Sequence, residues 1–112
     1  MAGMSLSGYK AMWVIVMFDL PVTSKPQRKR ASGFRKFLKE IGFNMVQYSV
    51  YSRPCSSDEN ATVYCNRVKT RMPPDGQVRI LRFTDKQYAR MECFISKKET
   101  PPEKMPKQIE LF

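Results

Sequence analysis

No histidine occurs among the 112 residues. That absence excludes Ser-His and Cys-His nucleophilic systems, imidazole general-base catalysis and every zinc site that needs imidazole. Cysteine is scarce and odd in number: Cys55, Cys65 and Cys93, with no C-x-x-C spacing. One chain therefore builds neither a disulfide framework nor a four-cysteine metal knot, and reduced, partly buried thiols in a cytosolic protein are expected. The longest apolar run, Ala11 to Phe18, is eight residues and ends at Asp19. It is too short for a bilayer and lacks a small-residue cleavage pattern, so neither a membrane span nor a signal peptide is expected. Acids number 10 against 20 Lys and Arg. The resulting charge of +10 and pI near 9.8 favour a polyanionic partner, nucleic acid first, over a small neutral ligand.

What is present suits one folded domain: 42% hydrophobic residues, 12% aromatic, and a mean hydropathy of -0.47. Residues 1–11 read as a flexible leader. Met12 to Phe18 is β-branched and aromatic without alternation, as in a central strand buried on both faces. Asp19-Leu20-Pro21 ends it; Ser24 offers an N-cap, Pro26 sits near the first helical position, and Gly42 closes a helix over Lys25 to Ile41. Met45 to Ser52 returns to strand composition, with Pro54 expected to break it. Ser56-Ser57-Asp58-Glu59 matches a capping box for a second helix whose apolar stripe is Ala61, Tyr64, Cys65, Val68 and Met72. Pro73-Pro74-Asp75-Gly76 is a turn, Val78 to Phe83 a strand, and Thr84 caps a short helix to about Cys93. Residues 96–112 read as a semi-extended linker ending in a short pairing strand, Ile109 to Phe112.

On a helical projection of the first helix, Ala31, Phe34, Phe37, Leu38 and Ile41 share one side. Lys25, Arg28, Lys29, Arg35, Lys36 and Lys39 lie roughly opposite. With Arg30, at the edge of the apolar arc, these are the basic residues from Leu20 to Lys39, a stretch without an acid. An ordinary solvated face mixes signs, so this stripe points to phosphate binding ahead of its alternative, plain solubility.

The order of elements fits an α+β class: a ferredoxin-like βαββαβ sandwich over residues 12–95, both helices on one face of an antiparallel sheet, with an additional C-terminal strand. Such a sheet leaves one face uncovered. Tyr48, Val50, Tyr51, Ile80 and Phe83 are candidates for that outward face, which suggests a homodimer packed sheet against sheet with the terminal strand covering an edge.

Trp13-Val-Ile-Val-Met-Phe-Asp19-Leu-Pro21, the basic helix ending Phe34-Arg-Lys-Phe-Leu-Lys-Glu-Ile-Gly-Phe43, Gln47-Tyr-Ser-Val-Tyr51 and Thr84-Asp-Lys-Gln-Tyr-Ala-Arg-Met91 together resemble the smaller of the two core CRISPR adaptation proteins. The wording is similar to the version found in systems with a single large RNA-guided nuclease. The resemblance implies a cytoplasmic, ferredoxin-like homodimer, generally described as a magnesium-dependent endonuclease. It implies too that this dimer holds double-stranded DNA in the complex that integrates new spacers beside the larger adaptation subunit, the integrase.

The family's metal-site aspartate closes the first strand, and Asp19 matches it. By the resemblance Asp19 is both catalytic and the ligand of Mg2+, or of Mn2+, which an oxygen-only site suits better than zinc. Read from sequence alone, Asp19 serves equally as a turn cap before Pro21. Asp58, Glu59, Asp75 and Asp85 sit in turns or helix starts where capping explains them, so a symmetric pair of Asp19 residues is the oxygen cluster to expect. Ser49 matches the family's strand serine and reads equally as a small polar residue on a half-buried strand. Two other classes share the charge and size: a non-catalytic ferredoxin-like RNA-recognition module, whose glycine-aromatic signature Gln77 to Thr84 lacks, and a small structural RNA-binding protein.

Overall fold

Alternating side-chain direction along an apolar first strand decides the layering. The structure, a computed structural model, describes residues 11–110. Its β1 (Met12–Asp19) is the hub of a four-stranded antiparallel sheet in the order β2-β3-β1-β4, formed with β2 (Asn44–Gln47), β3 (Val50–Cys55) and β4 (Gln77–Thr84). That order and the helices α1 (Lys25–Glu40) and α2 (Asp58–Thr70) make the ferredoxin-like βαββαβ sandwich. Met12, Val14, Val16 and Phe18 join Phe34, Leu38, Cys65 and Val68 in the core beneath the helices. Trp13 and Ile15 point the other way into a second cluster with Tyr88 and Met105.

Local chemistry sets the helix ends. Ser24 accepts the Gln27 N–H at 3.2 Å while the Gln27 side chain accepts the Ser24 N–H at 3.0 Å, a reciprocal box that starts α1. Gly42, at φ 96°, follows the C-cap Ile41, and the Phe43 N–H reaches the Leu38 carbonyl at 2.9 Å. The second helix starts one residue later than expected and without a reciprocal box: Ser57 is the cap, accepting the Asn60 N–H at 3.0 Å, and the Asn60 side chain accepts the N–H of Ser56, the residue before the cap, at 3.2 Å. Asn60 rather than Glu59 occupies the third helical position, so its amide reaches the residue before the cap.

Several expectations are corrected. Pro54 lies inside β3, opposite Trp13; β2 stops pairing at Ser52, so this part of β3 has no neighbour on the β2 side and asks less of proline's missing N–H. Tyr51 and Ile80 face the helices, because each is registered opposite Val16. The far face is not fully open either. Tyr88 of the short helix α3 (Asp85–Tyr88) stacks on Trp13 at 4.1 Å between ring centroids, the Trp13 indole donates to Asp85 at 2.8 Å, and Met105 packs beside them. Glu103 accepts the Tyr88 hydroxyl at 2.7 Å, fastening the C-terminal stretch across this face. That stretch contains a hairpin, β5 (Cys93–Ile95) with β6 (Lys98–Thr100), turning at Ser96 and Lys97, both at positive φ. The additional strands are thus here, whereas Ile109 lies in α4 (Lys107–Glu110), a helical turn rather than the expected terminal strand. Leu111, Phe112 and all of the leader but Ala11 lie outside the described residues; Ala11 is buried, and its carbonyl accepts the Asp85 N–H at 3.0 Å.

Candidate nucleic-acid interface and strand-end carboxylate

Asp19 is the last residue of β1, exposed, and registered opposite Gln77. Alternation along β1 puts its side chain on the far face, with Met17, Gln77 and Arg79 around an open recess of about 250 Å³. Two backbone contacts fix this strand end. The Phe18 N–H donates to the Ser49 carbonyl at 3.1 Å, drawing the β2–β3 turn against β1. Gly76, at φ 89°, approaches so closely that a Cβ there would lie 2.7 Å from the Asp19 carbonyl oxygen and 3.0 Å from the Leu20 Cα. Only glycine fits that approach. Sequence reading gave Gly76 to its turn, but which strand the turn would touch depends on tertiary pairing.

Ser49 adopts φ 62° and contributes its carbonyl, so its visible role is conformational. Among the described residues no group of three or more His, Cys, Asp or Glu side chains is gathered as a metal site. Asp19 is one carboxylate on one chain. By itself it does not make a site for magnesium, which takes several oxygens.

On the opposite layer, α1 presents Lys25, Arg28, Lys29, Lys36 and Lys39 as exposed side chains. Arg28 reaches back to the Val22 carbonyl at 3.1 Å and stays exposed. Arg35 departs from the expected stripe. It is half-buried, its guanidinium 5.7 Å from the Phe18 ring centroid and 5.1 Å from that of Tyr48, and its Nη2 donates to the Tyr48 hydroxyl at 3.1 Å. Its Nε is buried without a hydrogen-bond partner, a cost of about 1–3 kcal/mol that packing must offset. Arg30 pairs with Asp75 at 3.3 Å, which accounts for a cation at the edge of the apolar arc.

A second basic group escaped the sequence reading: Arg67, Lys69 and Arg71 near the end of α2. The Arg71 guanidinium sits 4.5 Å from the Phe37 ring, tying this group to α1. Arg53, inward from β3, donates to the Ile41 carbonyl at 2.8 Å and lies 3.6 Å from the Tyr64 ring centroid, linking the end of α1 to α2. Beside it burial pushes the Cys55 thiol above its ordinary range, so this cysteine stays a neutral core group. Asp19 and the basic face of α1 thus occupy different faces of the sandwich, joined by the short loop from Leu20 to Ser24.

Comparison with known proteins places this geometry. Residues 12–91 match the family model of CRISPR associated protein Cas2. A CRISPR-associated endoribonuclease Cas2 of Paracidovorax avenae is 47% identical over 107 residues, covering 96% of this chain and 99% of the relative. Another so named, from Parvibaculum lavamentivorans, is 48% identical over 101 residues, 90% of this chain and all (100%) of the relative. A solved structure described as a crystal structure of cas2 superposes with a TM-score of 0.55 at 24% identity, over 86% of this chain and 98% of the other, and shows the shared fold.

Proposed function

The chain belongs to the CRISPR-associated Cas2 family, and from that premise we propose that it serves spacer acquisition as a homodimer that holds duplex DNA by its backbone phosphates beside the larger integrase subunit. One observation carries this reading: Lys25, Arg28, Lys29, Lys36 and Lys39 are exposed together on a helix without an acid before Glu40. Surface cations without carboxylate partners attract counterions, and releasing those on contact with phosphates supplies affinity without sequence preference. A dimer carries two such faces, and the far-face patch left beside the Trp13 cluster, with Leu81 exposed, is apolar enough to pair with its copy.

A nuclease reading stands second. The relatives named endoribonucleases support it, and so does Asp19 at the mouth of an open recess. A two-fold pair of Asp19 carboxylates supplies the oxygen charge that one chain lacks, and magnesium held there would polarise a phosphodiester.

Titrating duplex binding against salt tests the first reading. If about four to six phosphates are neutralised, log affinity falls with log salt at a slope of roughly -4 to -5. Replacing Lys25, Lys29, Lys36 and Lys39 with Ala flattens that slope. A wild-type slope near zero, or light scattering that finds only the 13.1 kDa monomer at micromolar concentration, overturns the proposal.

A further inference from the structure

We propose that Tyr48 is a shelf on which one unpaired nucleobase stacks, so that the nucleic acid reaching the Asp19 end of the sheet is single-stranded there. This rests on the nucleic-acid reading above and assigns Tyr48 a positioning role within it. Tyr48 is 76% exposed, the most open of the large apolar and aromatic side chains among the described residues. An aromatic ring left in water at a hairpin tip does nothing for the core. Yet this one is held in place: the Arg35 Nη2 bonds its hydroxyl, the guanidinium lies over the ring at 5.1 Å from its centroid, and the next residue, Ser49, is locked at φ 62° with its carbonyl on the Phe18 N–H. A restrained ring loses little freedom when a ligand stacks on it.

The surroundings define that ligand. Arg35 arises from the same helix as Lys36 and Lys39, so a strand crossing the ring has cations for its phosphates. Phe18, which shares Arg35 with Tyr48 and bonds the turn, precedes Asp19. Bases in a duplex already have both faces covered by their neighbours, so a flat aromatic shelf selects a base without that cover, with little regard to its identity. The basic face and the shelf then divide the work: the face takes backbone from any nucleic acid, and the shelf takes an unpaired base.

The test compares wild type, Tyr48→Ala and Tyr48→Phe on a single strand of about 12 nucleotides carrying 2-aminopurine, in DNA and RNA versions, and on a blunt DNA duplex. Stacking quenches 2-aminopurine. Tyr48→Ala is expected to weaken single-strand binding roughly tenfold or more and to abolish the quench, with duplex affinity unchanged. Tyr48→Phe keeps the ring and is expected to bind within about twofold of wild type. The larger loss between the DNA and RNA versions names the strand the shelf serves. Single-strand binding by Tyr48→Ala equal to wild type, or an equal loss on duplex and single strand, overturns the shelf while leaving the basic face standing; wild-type protein that binds neither probe overturns both.

Discussion

Two glycines make opposite predictions from one substitution. At Gly76 a new methyl meets backbone that cannot give way, the Asp19 carbonyl oxygen at 2.7 Å and the Leu20 Cα at 3.0 Å, besides the Leu20 Cδ2 side-chain tip at 2.9 Å. The backbone there is at φ 89°, which costs an L-residue about 1–2 kcal/mol before any clash. Relieving the clash separates the turn from the end of β1, and together the two effects cost about 2–4 kcal/mol. For a domain of this size that lowers the thermal midpoint by roughly 10–20 °C. At Gly33, by contrast, a Cβ meets nothing within 4 Å, and the residue lies inside α1. Alanine there is expected to stabilise by about 0.5–1 kcal/mol through helix propensity alone. Circular dichroism melts of Gly76→Ala and Gly33→Ala measured against wild type check both signs. Because the displaced backbone belongs to Asp19, any cleavage that depends on Asp19 should fall further in Gly76→Ala than its folded fraction explains. An unchanged midpoint for Gly76→Ala would refute the close approach of this turn to β1.

Asp19→Asn keeps the shape of the strand end and removes its charge, so, if the proposed dimer cleaves nucleic acid, any magnesium-dependent cleavage is expected to vanish in a nuclease assay while dimerisation, DNA binding and partner-assisted integration persist; retained cleavage removes the metal assignment. Burial above all raises the Tyr88 phenol well above its ordinary value; the Ser52 hydroxyl opposes it, and the Glu103 carboxylate adds to the rise. The folded chain therefore keeps a proton that the unfolded chain releases near pH 10, so stability is full below that pH and is lost as pH rises further. The Cys55 thiol acts in the same direction from about pH 9. Tyr88→Phe loses the bond to Glu103 at a cost of about 1–2 kcal/mol at neutral pH and should show a smaller alkaline decline in urea unfolding.

Most of the architecture was legible because its signals are local. Ser24, Thr84 and Gly42 act on backbone groups within four residues, and the apolar spacing of α1 repeats every turn, so the element order and its ferredoxin-like assembly followed from neighbours along the chain. Asp19 was legible as a strand end for the same reason. What a helical wheel assigns only approximately is the fate of a long cation: Arg35 leaves the basic stripe because Phe18 of β1 and Tyr48 of the β2–β3 turn offer their rings to its guanidinium. A single sequence register likewise leaves open which face of the sheet a residue joins. Tyr51 went to the helix side because β3 pairs with β1 so that it stands opposite Val16. Nor does composition reveal that a proline- and lysine-rich segment crosses the far face, since its hold depends on Tyr88, Trp13 and Glu103 meeting across long sequence separations. The sequence by itself determined which pieces form, because caps and periodicity are properties of adjacent residues. Only the tertiary structure decided which pieces touch, because each such contact forms between groups that the chain brings together only once the sheet has closed.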